Sequence, residues 1–321
     1  MTDSVVDCLA ESDREGAADA LDQLAAAPPE DRQDTLQSLQ SLAADRPDRL
    51  APVADALAAF LDDEDRAVRL SAAKLFVALA DSDPEVVVGV VAALADRLGD
   101  DTEFYYVRAR SAEALGYVAL EHPTEIATPD VLADLRVGLA FDEPEVREKL
   151  AKALECVALG DPDRLRHHVG NLTDRLDDDV ELVRYHLCTS LAVLACVHPE
   201  TTAEADDALV DRLDDDSEHV RGRAAEALGA LDRSDADVSV PREVLADLTD
   251  GPDFAARRAA FALGERVDAD PKPGSVISIR ATTDEAIAGI TTPEADGECA
   301  HCGLDLPETG PPMCPRCGAP Q

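Results

Sequence analysis

Residues 220–231 read VRGRAAEALGAL, and this phrase recurs along the chain. Small or apolar residues stand four, five, seven and eight positions after the valine, a spacing that places one apolar stripe on a helix. The Val-Arg pair returns in steps of 39, 39, 37, 37 and 35 residues, the last copy being the worn pair Ala255-Ala256. A period of this length predicts a solenoid of stacked helix pairs. The copies begin at Val68, Val107, Val146, Val183, Val220 and Ala255.

A second amphipathic segment precedes each copy, so each repeat is predicted to pair an A helix with a B helix that carries the Val-Arg phrase. Each A helix ends in an acidic turn, and an acid there suits the positive N-terminus of the next helix. Upstream, Asp31-Arg32 with Leu36 and Leu39 indicates a degenerate first unit that caps the stack. The A helices are predicted near residues 49–61, 85–98, 129–140, 163–176, 203–213 and 241–249.

The turn Asp, the Val-Arg pair and the stripe that ends in Leu-Gly or Leu-Ala resemble HEAT repeats, including the HEAT-like type of the PBS lyases. Leu115-Gly116, Leu228-Gly229 and Leu263-Gly264 carry this ending. The resemblance covers residues 1–268, with 1–45 as the capping unit, and implies an all-α, right-handed α-solenoid of about seven helix pairs. HEAT arrays serve many unrelated tasks, so the resemblance predicts the fold more sharply than the function.

The chain is strongly acidic. It has 68 acidic and 29 basic residues among 321, a formal charge of −39, and the acids are spread along its length. This distribution favours a salt-adapted proteome of haloarchaeal type, while an acidic nucleic-acid mimic or a cation buffer is the alternative. The charge opposes a nucleic-acid ligand, which needs a basic footprint. With no long apolar run and no signal-peptide pattern at the start, we expect a cytoplasmic protein without a membrane span.

Composition changes after residue 268. Residues 269–298 are predicted to be a linker, with a possible short strand at Val276–Ile279 and a weak helix near 284–289. Residues 299–321 carry two C-x2-C pairs, which match a structural tetrahedral zinc site. These residues resemble a zinc ribbon with one structural Zn²⁺, and a disulfide or redox pair is the alternative reading. The four predicted ligands are Cys299, Cys302, Cys314 and Cys317.

No residue set predicts an enzyme. Four thiolates would leave the zinc no open position for a substrate. The sequence contains no phosphate-binding glycine loop and no nucleophile elbow. Some HEAT-like proteins are hydroxylases that hold iron through His-Glu dipeptides, and this sequence has none. The remaining cysteines are predicted to fill the core, namely Cys8, Cys156, Cys188 and Cys196.

The candidate partner surface follows from charge. The predicted B helices sum to +9 in a chain of −39, and in HEAT-like stacks the B helices line the concave side. We call the arginines of the Val-Arg pairs the ladder arginines: Arg69, Arg108, Arg147, Arg184 and Arg221. They either face a partner or pair with the turn acids of their own or the next repeat. Arg110 and Arg223 are expected to be freer, and Lys74 and Lys152 add a second row. Tyr105 and Tyr106 either fill the core or form a contact anchor.

These observations predict a non-enzymatic scaffold or adaptor in a signalling or regulatory complex. It would hold an acidic protein on its B-helix face, with the ribbon as a tethered second contact. The alternative is a nucleic-acid-associated accessory factor of transcription or translation that uses the ribbon. An enzyme or lyase-like chaperone of a cofactor, suggested by short-repeat relatives that act on bilins, has no supporting residues. No small-molecule substrate is evident.

Overall fold

The computed structural model describes residues 2–10 and 13–291, and every regular element among them is a helix. The described residues form two compact units, divided between Arg164 and Leu165. The predicted all-helical repeat architecture is therefore confirmed for the described residues. The ribbon predicted at residues 299–321 lies outside them.

Unit 1 contains four helix pairs within its described residues. Successive B helices pack directly against one another, in the order α3, α6, α8 and α11. The α-helices of the unit are α1 (Thr2–Ala10), α2 (Arg14–Ala25), α3 (Pro29–Asp45), α4 (Pro47–Leu50), α5 (Ala54–Ala58), α6 (Arg66–Ser82), α7 (Val91–Gly99), α8 (Tyr105–Glu121), α9 (Pro123–Ile126), α10 (Pro129–Gly138) and α11 (Pro144–Gly160). Short 3₁₀ segments span Ala51–Val53, Ala59–Asp62, Pro84–Val90 and Pro162–Arg164.

Unit 2 repeats this arrangement with the B helices α13, α16 and α18, again packed in sequence order. Two further helices, α19 and α20, follow the last pair and contact α13. The α-helices of the unit are α12 (Val169–Thr173), α13 (Glu181–Val197), α14 (Pro199–Thr202), α15 (Asp206–Asp211), α16 (Glu218–Asp232), α17 (Arg242–Leu248), α18 (Asp253–Leu263), α19 (Val276–Ala281) and α20 (Thr283–Thr291). Its 3₁₀ segments span Ala203–Ala205 and Arg212–Asp214.

The predicted apolar stripe forms the core of each unit. The valine of every Val-Arg pair is fully buried, as are Leu36 and Leu39 of the capping unit. Small residues in the stripe let successive B helices approach closely. A Cβ on Gly116 of α8 would lie 2.8 Å from the Cα of Ala153 in α11, so only glycine fits there. The stripe thus sets both the burial and the spacing of the B helices.

The A segments are less regular than the predicted single helices. Most begin at a proline and combine short α and 3₁₀ stretches, as in Pro84–Val90 followed by α7. The first of these stretches contains Val86, Val87 and Val88, and β-branched residues lose side-chain freedom in an α-helix. The B helices α6, α8, α11 and α13, by contrast, each run for 17 residues without interruption.

The segment after residue 268 corrects one expectation. Val276–Ile279, predicted as a possible strand, belongs to helix α19. Ser275 caps this helix, since its hydroxyl accepts from the Ser278 amide at 3.2 Å and the Ser275 amide donates to the Ser278 hydroxyl at 3.1 Å. This reciprocal capping box starts a helix where residue alternation alone favours a strand. The weak helix near 284–289 is confirmed as α20.

Candidate partner-binding surfaces

The ladder arginines share one contact with the backbone. In four of the five, Nη1 donates to the carbonyl oxygens of the residues six and five positions earlier, in the turn before the B helix. For Arg147 these acceptors are Phe141 and Asp142, at 3.0 and 3.1 Å. Arg69, Arg184 and Arg221 make the same pair of bonds. The Arg of the Val-Arg pair therefore satisfies carbonyls at the end of the A segment.

Two of these arginines also bind a carboxylate of the following repeat. Arg69 holds Glu103 through Nε and Nη2, at 2.7 and 2.8 Å. Arg184 holds Asp215 in the same bidentate way, at 2.7 and 2.9 Å. In the capping unit, Arg32 pairs with Asp63 at 2.9 Å. Bidentate pairs of this kind combine charge with fixed geometry. Of the two sequence interpretations, the structure thus supports pairing with the turn acids for these arginines.

Arg108 departs from the shared pattern. It is buried, and its Nε donates to the carbonyl of Leu98 at 2.9 Å. Its guanidinium also lies 4.8 Å from the ring centroid of Phe141. The ladder arginines consequently occupy the joints between repeats, where they join an A segment to a B helix or one repeat to the next.

Further charges lie two and five residues after the ladder arginines on α8 and α11. Arg110 bonds to Glu113 on its own helix and to Glu145 at the start of α11, each at 2.7 Å. Lys149 and Lys152 of α11 approach Glu113 at 3.5 and 3.2 Å. Glu113 thus has three cationic neighbours. The expectation that Arg110 is freer than the ladder arginines is wrong, because two carboxylates hold it.

The pKa values of this charged cluster follow from its burial and its pairing. Burial alone would raise the pKa of the Glu113 carboxyl, but Lys149, Lys152 and Arg110 outweigh it and hold the pKa well below its usual value. Tyr117 lies at the same site, and its hydroxyl is 2.6 Å from Nζ of Lys152. Burial raises the pKa of Tyr117 to about 12. Both lysines therefore face a carboxylate that stays ionised at neutral pH.

An aromatic cluster stands beside these charges at the start of α8. The rings of Phe104, Tyr105 and Tyr106 are mutually in contact, with centroids 4.7 to 5.3 Å apart, and all three residues are half-buried. Burial raises the pKa of Tyr106, and the nearby Glu145 raises it further. The tyrosines are thus neither core residues nor isolated at the surface, and their rings lie next to these charges.

We call this surface of unit 1 the unit 1 patch. It comprises Tyr105, Tyr106, Arg110, Glu145 and Lys152, none of which is fully buried. Lys74 of α6 is also half-buried, and its charge acts on Glu145. A surface with aromatic rings beside paired charges has the composition of protein contact sites, where tyrosine and arginine are enriched.

Arg223 and Glu226 of unit 2 occupy the same repeat positions as Arg110 and Glu113, but here both side chains are fully buried. Arg223 is wholly buried, which removes it from any exposed contact surface and corrects the expectation that it is free. It bonds to Glu226 at 2.8 Å, and Arg258 of α18 bonds to the same carboxyl oxygen at 2.9 Å. Burial would raise the pKa of Glu226, but the two arginines and the Gly274 amide hold it below its usual value.

Sequence reasoning missed Lys149, Glu145, Arg258 and the contribution of the segment after residue 268. A local signal existed for one part of the site. Arg and Glu three residues apart recur at the same repeat slots, as Arg110-Glu113 and Arg223-Glu226, and such pairs share a helical face. The partners of these two pairs on other helices are 32 to 60 residues away along the chain and leave no local pattern.

The described residues contain no group of three or more His, Cys, Asp or Glu side chains placed to hold a metal ion. Cys156 and Cys188 are buried, as core residues are expected to be, and Cys8 and Cys196 are half-buried. Burial raises the pKa of the Cys188 thiol to about 12. The predicted ligands Cys299, Cys302, Cys314 and Cys317 lie outside the described residues. None of the described helices is long and apolar enough to span a membrane.

Comparisons with known proteins agree on the fold. The HEAT repeats family matches residues 91–192. A designed armadillo repeat protein in complex with the peptide (KR)4 is 21% identical over 66% of this chain and 98% of its own, with a TM-score of 0.58. An engineered protein is 19% identical over 92% of this chain and 85% of its own, with a TM-score of 0.59. No curated protein matches. The chain is a helical repeat solenoid like armadillo and HEAT proteins.

Proposed function

We propose that the protein is a non-enzymatic scaffold that binds a protein partner through the B-helix face, with the unit 1 patch as its contact site. The observation that carries the proposal is the half-buried aromatic cluster beside Arg110 and Glu145. Repeat solenoids typically offer extended binding surfaces. Two similar solved structures are described as designed armadillo proteins, one bound to a peptide and one made for modular peptide recognition.

The proposed partner presents an acidic segment. Lys74, Arg110, Lys149 and Lys152 bring four cations to this part of unit 1, against the carboxylates of Glu113, Glu145 and Glu148. Glu143 adds a fourth carboxylate near Tyr106, so the site is charge-balanced within a strongly acidic chain, and complementary charge guides partner choice. The proposed setting is the cytoplasm of a salt-adapted cell, in keeping with the spread of acidic residues.

The test compares partner capture by three forms of the full-length protein. The wild-type chain, the double variant Y105A/Y106A and the control V137A are immobilised and exposed to lysate of the source cells at their working salt concentration. Val137 is an exposed apolar residue on α10, outside the patch. We expect quantitative mass spectrometry to show at least one protein that V137A retains and Y105A/Y106A loses about tenfold, since hot-spot tyrosines contribute about 1.4 kcal/mol or more. Equal capture by all three forms would remove the patch from partner binding.

We further propose that Cys299, Cys302, Cys314 and Cys317 bind one structural zinc ion. The proposal is supported by their spacing as two C-x2-C pairs and by the affinity of thiolates for zinc. Elemental analysis of purified protein should find about one zinc per chain in the wild type and in the control C8S, and none in C299S/C302S. Retention of zinc by C299S/C302S would refute the assignment.

A further inference from the structure

The residues that follow the last repeat pack onto the B helices of unit 2. We call residues 274–291 the docked segment. The Gly274 amide donates to Glu226 at 2.9 Å. Arg223 donates to the Ile279 carbonyl at 3.1 Å, and both Arg223 and Arg258 donate to the Thr282 hydroxyl, at 3.1 and 3.0 Å. The docked segment therefore covers the charged site that Arg223, Glu226 and Arg258 form.

The charge of this site suits the end of a helix. Two guanidinium groups face one carboxylate, which leaves an excess positive charge beneath the docked segment. The Ile279 carbonyl lies in the last turn of α19, at the partially negative end of the helix, where it also accepts from the Thr282 amide at 3.2 Å and the Thr283 hydroxyl at 2.9 Å. The Thr282 and Thr283 hydroxyls lie beside this carbonyl, and Nη2 of Arg223 donates to the Thr283 hydroxyl at 3.4 Å. The site thus binds one carbonyl in the last turn of α19 and the two threonine hydroxyls that follow it.

The docked segment fits the site closely. Ile279 is fully buried whereas Ile277, on the same helix, is 81% exposed. Gly274 has a φ of +96°, and a Cβ there would lie 2.2 Å from the Phe261 ring, so the entry of the segment requires glycine. At the other end, a Cβ on Gly289 would lie 2.9 Å from the His219 ring. Helices of six and nine residues are marginal alone in water, so their order depends on this surface.

We propose that the B-helix face of unit 2 is a peptide-binding site for a partner protein's short capped helix, and that the docked segment is its intramolecular competitor. The partner segment would have the same chemistry as the docked segment: a serine cap, one buried aliphatic residue, a carbonyl in the last helical turn and two adjacent hydroxyls. In unit 1 the described neighbours of the corresponding Arg110-Glu113 pair are Glu145, Lys149 and Lys152 of α11. This inference deepens the proposed function, because it names what a second surface of the scaffold binds.

The competition can be measured with a fluorescent peptide of residues 273–291 and the full-length protein. In the wild type, the tethered segment has an effective concentration on the order of mM, so it excludes the free peptide. I279D places a charge in the buried contact and releases the segment. We expect fluorescence anisotropy to show at least tenfold tighter peptide binding by I279D than by the wild type. I277D, which changes the exposed residue of the same helix, should bind like the wild type.

Two further variants alter the entry of the docked segment and the site beneath it. G274A disturbs the entry of the segment through its backbone and the Phe261 contact, so it should release the segment without adding charge and should also bind the peptide. Adding R258M to I279D should abolish that binding, with an unchanged circular dichroism spectrum. Hydrogen exchange over residues 276–291 should be fast in I279D and G274A and slow in I277D.

Several results would overturn the proposal. They are equal peptide binding by wild type and I279D, binding by I279D that R258M leaves intact, and slow exchange in both release variants. The assay needs no native partner. A failure here therefore leaves the capture experiment on the unit 1 patch unaffected, and a failure there leaves this site standing.

Discussion

A ladder arginine such as Arg184 acts as a joint between repeats. Its Nη1 reaches the carbonyls of Asp178 and Asp179, and its other donors hold Asp215, whose side chain is 2% exposed. Burial would raise the pKa of Asp215, but Arg184, the Ser217 amide and Arg212 outweigh it and hold the pKa below its usual value. One residue thus links the A segment, the B helix and the next repeat.

R184M should lower the free energy of unfolding by about 2 kcal/mol, because a buried carboxylate loses its bidentate charged partner while Arg212 remains. The matched control is R257M. Arg257 pairs with Asp253 on the surface, where both side chains are more than half exposed, and such pairs contribute about 0.5 kcal/mol or less. Urea denaturation of the two variants and the wild type measures the difference. Equal losses would mean that the inter-repeat pair adds nothing beyond a surface pair.

At the scale of the element, the charged cluster between α8 and α11 joins two B helices. Glu113 of α8 holds Lys149 and Lys152 of α11, and Arg110 of α8 holds Glu145 of α11. The cations keep the pKa of Glu113 well below its ordinary value of 4.5. A lowered carboxyl pKa stabilises the folded state above the unfolded pKa, and that stability is lost as pH falls through the folded value.

We therefore expect E113Q to lower the free energy of unfolding by an amount that depends on pH. At pH 7 we expect the variant to be about 3 kcal/mol less stable than the wild type, because three cations lose a buried partner. Below about pH 4.5 the difference should shrink progressively, because the carboxyl of the unfolded wild-type chain takes up a proton while the folded one stays ionised. Urea midpoints at pH 7, 5, 4 and 3 provide the measurement, with E121Q, exposed at the end of the same helix, as the control. A constant difference across this range would show that Glu113 does not stabilise the fold through its charge.

Over the whole molecule, the charge of −39 opposes compaction. The Debye length falls from about 10 Å at 0.1 M salt to about 3 Å at 1 M, so added salt screens repulsion between surface acids. We expect Tm to rise with salt, with most of the gain below about 1 M and equal gains in NaCl and KCl. Calorimetry in both salts measures this. A flat or falling Tm would contradict the role assigned to the acidic surface.

The repeat architecture was predictable because its signal is local. Valine and the small residues of each B helix fall on one face at helical spacing. The same pattern recurs every 35 to 39 residues, so the copies support one another as evidence for a repeat. The pairing of Arg69 and Arg184 with acids of the next repeat was one of two interpretations of the ladder arginines, since an acidic turn precedes each B helix. The prediction of a strand at Val276–Ile279 was wrong, because an alternating pattern of four residues also fits a capped helical turn.

The sequence by itself determined the repeat unit, the burial of the B-helix stripe and the acidity of the surface, since each depends on residue type and short spacing. Only the tertiary structure decided which cations are exposed. Arg110 and Arg223 occupy the same slot of their repeats, yet one is half-buried and the other is fully covered. The difference arises because the docked segment brings Ile279 and Thr282 onto Arg223 from more than 50 residues away. Side-chain pairing over such separations follows from packing, which local periodicity does not encode.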